Sequence, residues 1–214
     1  MKKSTSRMLV VAGICYGLAV AFGFPFIRVY VLRPFKVTTG AMLPTIRGGE
    51  VAPDGTTTTG DRIFVSSLIY MMQEPKRGDI IVFRTSGIDY PGVRRDTCYV
   101  KRIAAIPGDV VSIRPPELVI NGSVLRQPEI FDWMARQTNG YQGFFLPQNS
   151  GPGRRQFLSK MADEIKLDAD EYFVLGDNSR NSLDGRYFGS IRRKAIVGKV
   201  TWRYFPFDRV GAVK

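Results

Sequence analysis

The chain begins with an unbroken apolar stretch and then changes rhythm. From Met8 to Ile27 there are 20 uncharged residues, which at about 1.5 Å per helical residue span the roughly 30 Å of a bilayer's hydrocarbon core. The pattern predicts a transmembrane helix over 8–27, with 1–7 before it and a folded domain over 28–214. A cleaved leader is the alternative, because Lys2, Lys3 and Arg7 give a basic start and Ala19-Val20-Ala21 resembles a small-x-small cleavage site. Basic residues flank the run on both sides, so charge alone does not orient it.

Beyond Pro34, short runs of Val, Ile, Phe and Tyr alternate with Gly, Pro and Asp, the signature of a mostly β domain. Strands are predicted at Phe35–Thr38, Arg62–Val65, Asp79–Arg84, Cys98–Ala105, Val110–Ile113, Glu117–Ile120, Ser123–Arg126, Glu171–Leu175 and Ala195–Tyr204. Asn121-Gly122 between two apolar runs marks a hairpin, since both residues tolerate positive φ. Residues 127–168 break the rhythm and read as a variable insert, a small α/β cap, with a short helix over 128–136. The run Val65–Met72 is either ordinary packing or a lipid-facing hairpin.

Charge narrows the partners. Of the formal +12, residues 1–49 supply seven basic residues and no acid, leaving +5 for the remainder. A basic excess beside an apolar span suits contact with anionic membrane lipid. No basic cluster on the folded part suggests nucleic acid, and none is expected as a partner. The absence of histidine removes Ser-His-Asp and Cys-His catalysis and the usual zinc sites. Neither a metal nor a cofactor is expected, and a general base must be Lys, Asp, Glu or Tyr. Cys15 and Cys98 are too differently placed to form a disulfide framework.

Three blocks carry candidate chemistry. Continued extension from Phe35 would put Phe35, Val37, Thr39 and Ala41 on one face, the wall of a cleft for a small apolar side chain, until Pro44 ends regular pairing. In Tyr99-Val100-Lys101-Arg102-Ile103, the apolar neighbours offer Lys101 desolvated surroundings. An amine serving as base near neutral pH needs its pKa lowered by about three units, roughly 4 kcal/mol of differential solvation. The bland alternative is an exposed edge lysine. The third block, Gly176–Gly189, is dense in Gly, Asn, Asp and Ser, either a long turn or a tight polar loop holding that lysine in place.

Together these blocks, with Gly60-Asp61 and Arg77–Phe83, resemble the signal peptidase I family of membrane-bound serine proteases that use a Ser-Lys dyad. The resemblance implies a cytoplasmic amino terminus, one membrane span in the cytoplasmic membrane, and an extracytoplasmic β domain cleaving exported preproteins after small residues. It places Lys101 at the general base and Ser182 at the hydroxyl that orients it. Asp184 and Arg186 fall on a bracing ion pair, with Arg102 beside them. Thr39 falls on the side-chain donor of the oxyanion hole, whose other donor is the backbone N–H of residue 41. Phe35, Val37, Met42, Ile46, Tyr99 and Val100 fall on substrate-binding positions.

Ala41 departs from the pattern, because the family's nucleophilic serine falls there. A methyl group cannot attack a carbonyl, and loss of such a nucleophile costs on the order of 10⁶ in turnover. Thr39 would vacate the oxyanion site, Thr45 lies beyond Pro44, and Cys98 is out of phase with Lys101, so no neighbour substitutes. The chain is expected to be inactive as written: an otherwise competent signal peptidase with its serine replaced. The alternatives are a natural pseudoprotease that binds signal peptides or a partner without cutting, and a specialised peptidase of the conjugation type.

Overall fold

Ile80-Ile81-Val82-Phe83, four buried apolar residues in a row, cannot present a polar face to water and so take the middle of a sheet. In the computed structural model, which describes residues 16–17, 20–21, 23, 32–49, 58–147 and 156–213, this run is β3 (Ile80–Arg84). It lies between β4 (Cys98–Ala105) and β11 (Ile196–Phe205) in a larger antiparallel sheet of order β1-β2-β11-β3-β4-β9-β10. Its other members are β1 (Arg33–Lys36), β2 (Arg62–Ser66), β9 (Glu171–Leu175) and β10 (Ile191–Arg192), and β12 (Gly211–Ala212) pairs with β11.

A smaller sheet orders β7 (Ser123–Val124), β6 (Glu117–Ile120), β5 (Val110–Arg114) and β8 (Ile165–Lys166). Asn121 at φ +52° and Gly122 at φ +79° turn β6 into β7, with Ile120 opposite Ser123, so the two-residue hairpin read from Asn-Gly is present. Between β7 and β8 the chain forms α2 (Glu129–Ala135), within the stretch read as helical. Phe131 and Met134 of α2 join Val111, Ile113 and Leu118 of the small sheet, and Ala104, Phe173 and Leu175 of β4 and β9, in one core. The unit around the insert therefore includes β5–β7, and it shares its core with the larger sheet.

The run Val65–Met72 splits into the end of β2 and α1 (Ile69–Met72), with Tyr70 buried and Met71 and Met72 exposed. α3 (Gly185–Phe188) follows the polar loop. The fold is mostly β, as the sequence pattern predicts. The predicted segment 1–7 and most of the predicted span 8–27 lie outside the described residues. Residues 16, 17, 20, 21 and 23 are helical, and among the described residues no helix is long and apolar enough to cross a membrane.

Candidate active site

The first strand is shorter than its composition suggests. β1 stops at Lys36, Val37 N–H donates to the Asp61 carbonyl at 2.9 Å, and Gly40–Met42 tightens into a 3₁₀ turn. Extension therefore does not continue to Ala41. The cause is close packing of the following segment. A Cβ at Gly48 would collide with the Thr39 carbonyl group, and the fully buried Asp61 carboxylate accepts from Arg47 N–H and the Arg209 guanidinium at 2.9–3.0 Å. Thr39 keeps extended angles (φ −130°, ψ 150°) just before the turn, and its residue is exposed while Ala41 is buried.

A cleft of about 730 Å³ opens here, lined by every residue of Phe35–Thr39, by Ala41 and Met42, and by every residue of Thr97–Lys101. One face of a strand cannot contribute consecutive residues, since successive side chains alternate. The cleft instead opens on strand edges. β1 is the outer strand of its sheet, and β9 pairs with β4 only from Arg102 onward, leaving the edge of Cys98–Lys101 opposite β3 without a ladder. The single-face wall expected from parity is thus an edge-lined groove, and Cys98 reaches its rim together with Lys101. Gly92, Arg94, Asn181 and Leu183 also line it.

Lys101 is only 4 % exposed. Burial pushes its ammonium down from 10.5 to about 8, with Asp184 and Asp177 pulling upward and Arg186 downward. Among the described residues it makes no salt bridge, and its Nζ lies 5.9 Å from the Tyr99 ring centroid. Ser182 Oγ is buried and has no hydrogen-bond partner among the described residues, so the hydrogen bond to Lys101 that the resemblance implies is not made in this structure. Gly176 brings Ser182 towards the turn: a Cβ there would clash with Ser182 Oγ and come within 2.6 Å of the Ala41 carbonyl oxygen. Asn178 N–H donates to that same carbonyl at 3.0 Å, and its side chain donates to the Gly40 carbonyl at 3.1 Å.

Two buried ion pairs frame the lysine. Asp184 takes Arg186 in a fork at 2.8 and 2.9 Å and accepts Gly176 N–H at 3.0 Å. Burial pushes the Asp184 carboxyl up, but the charge and hydrogen bonds of Arg186 outweigh it and hold the group below the ordinary carboxylate range. Arg102 does not join this pair. It forms its own fork with Asp177 at 2.8 and 2.7 Å and donates to the Gly78 carbonyl at 2.7 Å. Burial would lower its pKa, yet Asp177 raises it overall.

The structure thus brings Thr39, Ala41, Lys101, Phe35, Val37, Met42, Tyr99 and Val100 to one cleft. Ile46 is not among them. Fully buried, it packs with Ile63, Val65 and Val200 in the core. Asp177 and Thr45 escaped assignment: Asp177 is one of two acids in its loop, and its arginine lies 75 residues away, a separation local pattern does not report. Thr45 Oγ1 donates to Asp177 Oδ2.

A family model described as "Signal peptidase, peptidase S26" matches residues 7–205. The "Signal peptidase I" of Bacillus amyloliquefaciens is 29% identical over 216 residues, spanning 100% of this chain and 98% of that protein. The Bacillus licheniformis "Signal peptidase I" is 30% identical over 185 residues, 86% of this chain and 82% of its own length. A crystal structure of a signal peptidase I from Enterococcus faecalis V583 is 29% identical. It overlays with a TM-score of 0.40, covering 60% of this chain and 98% of that one, too loosely to locate any residue.

Proposed function

We propose, from the premise that this chain belongs to the signal peptidase family of serine peptidases, that its cleft binds the cleavage region of an exported preprotein. The peptide lies extended between the two free strand edges, completing their backbone hydrogen bonds. Phe35, Val37, Met42, Tyr99 and Val100 surround its small side chains. The site works at the surface of the membrane that holds the apolar run 8–27, with the domain on the extracytoplasmic side.

With serine at position 41, neutral Lys101 Nζ takes the proton from Oγ as Oγ bonds to the scissile carbonyl carbon. Negative charge moves to the carbonyl oxygen, between Thr39 Oγ1 and the N–H of residue 41. The first N–H groups of a 3₁₀ turn have no carbonyl within the turn to donate to, because the residues before it are not helical. The Lys101 ammonium then protonates the leaving amine as the C–N bond breaks, and water, deprotonated by Lys101, releases the acyl group. With Ala41 the first bond cannot form, and the chain binds without cutting.

The observation that carries this reading is the buried amine of Lys101 in the cleft it shares with Ala41, lowered to about 8 by desolvation. Ala41 itself supports a second reading, a binding protein that never cuts. The test is Ala41→Ser incubated with a preprotein in detergent. Cleavage that is lost again on Lys101→Met supports the peptidase, and a folded Ala41→Ser protein that cuts nothing favours the binding protein.

A further inference from the structure

Among the described residues, the segment between β7 and β8 meets two buried ion pairs of the candidate active site, and its Phe157 N–H also donates to the Arg186 carbonyl at 2.8 Å. At the first, Tyr141 OH and Thr45 Oγ1 are 2.8 Å apart. The threonine's single proton goes to Asp177 Oδ2, which as a carboxylate only accepts. Tyr141 must therefore donate. Its phenol is 8 % exposed and burial pushes its pKa up, so it keeps that proton at neutral pH. The chain of bonds runs from Tyr141 through Thr45 to the Asp177–Arg102 fork.

At the second point the backbone of Phe145 closes a ring. Its N–H donates to Ser179 Oγ at 3.0 Å, its carbonyl accepts Arg186 Nη1 at 2.6 Å, and the same Nη1 reaches Ser179 Oγ at 2.7 Å. Arg186 in turn holds Asp184. Residues 177–186, which carry Ser182 and the cleft-lining Leu183, are thus fastened at both ends to the insert. Asp177, Asp184 and Arg186 are also the three charges that act on Lys101.

We propose that the insert is a positioning element of the active site: Tyr141 and Phe145 hold loop 177–186 against the 3₁₀ turn at Ala41, fixing the charges that act on Lys101. The proposal deepens the peptidase reading and rests on it only for its catalytic consequence. The geometric consequence stands in the chain as it is. Losing one buried hydrogen bond with its partner left in place costs about 1–3 kcal/mol, on the order of five- to a hundredfold in a local opening equilibrium.

The test is amide hydrogen exchange of the full chain, with and without Tyr141→Phe. The Gly176 and Asn178 amides, which donate to Asp184 and to the Ala41 carbonyl, should exchange at least fivefold faster in the variant. Ile130→Val, which thins the insert's core without touching either link, should leave them within twofold. Thr45→Val breaks the same link from the other end and should repeat the acceleration should Tyr141→Phe not fold. Unchanged exchange at both amides in a folded variant overturns the proposal. In the Ala41→Ser background, Tyr141→Phe should lower kcat severalfold with KM within twofold, whereas a purely structural role would lower the melting temperature and leave kcat alone. Should Ala41→Ser itself prove inactive, the peptidase reading falls while the exchange data still decide this one.

Discussion

Lys101 and Arg102 are consecutive on one strand, carry the same formal charge and are almost equally withdrawn from water, at 4 % and 2 % exposure. Their surroundings differ. Arg102 meets a carboxylate fork, a backbone carbonyl and a threonine hydroxyl, and its charge is reinforced. Lys101 meets the Tyr99 ring and apolar cleft wall, makes no salt bridge among the described residues, and is pushed towards its neutral form. Burial by itself therefore does not define a base. Burial without a partner does, and the strand's alternation lets both cases occur within two residues.

The largest expected effect sets the two cations apart by activity. In the Ala41→Ser background, Lys101→Met should reduce preprotein cleavage by on the order of 10⁴ or more, as when a member of a catalytic unit is removed. A gel-based cleavage assay with folded protein measures it, and residual activity within tenfold would break the distinction.

Stability separates them next. Arg102→Met leaves Asp177 buried and unpaired and should cost about 3–5 kcal/mol in a denaturant melt. Lys101→Met removes a charge the site disfavours and should leave stability at pH 7 unchanged or raised. Equal losses for the two variants would show that Lys101 is a structural cation like its neighbour.

A pH series sharpens the same contrast. Because the folded pKa of Lys101 lies below its unfolded value, the unfolded chain binds more protons between about pH 8 and 10.5. This group's contribution to stability should therefore rise with pH across that window, by on the order of 3 kcal/mol in total. The contribution is absent in Lys101→Met, so the difference between the two melting series isolates it. The smallest effect belongs to a pair with no function in the account. Arg95 and Asp89 are bridged at 2.9 Å but are 78% and 93% exposed, so Arg95→Ala should change stability by less than about 0.5 kcal/mol.

Much of this was legible in the sequence where chemistry is local. The runs at 80–84, 98–105 and 171–175 are strands within a residue of their predicted ends, because each is built around Val, Ile, Phe or Tyr, which fit a pleated, buried surface. Lys101 was less legible: its apolar neighbours fit an exposed edge lysine as well as a buried one, and only packing across the fold leaves it 4 % exposed. The first strand was misjudged because nothing in Phe35–Ala41 itself says that Gly48 and Asp61 will draw the backbone into a turn at Gly40. Two-residue strands such as β8, β10 and β12 are too short to show a period. The Arg102–Asp177 fork, the Tyr141–Thr45 link and the core position of Ile46 depend on contacts across the fold, and the insert's attachment to the active site was hidden for that reason.

The reading rests on Lys101 giving up its proton far more readily than an ordinary lysine, in the cleft it shares with Ala41. Labelling the lysine side chains and following the Lys101 ε-carbon shift by NMR in a pH titration of the present chain tests it without any catalysis. A midpoint near 8 is expected, well below the ordinary lysine value of 10.5. A midpoint at the ordinary value near 10.5 would contradict it and remove the proposed base from the site.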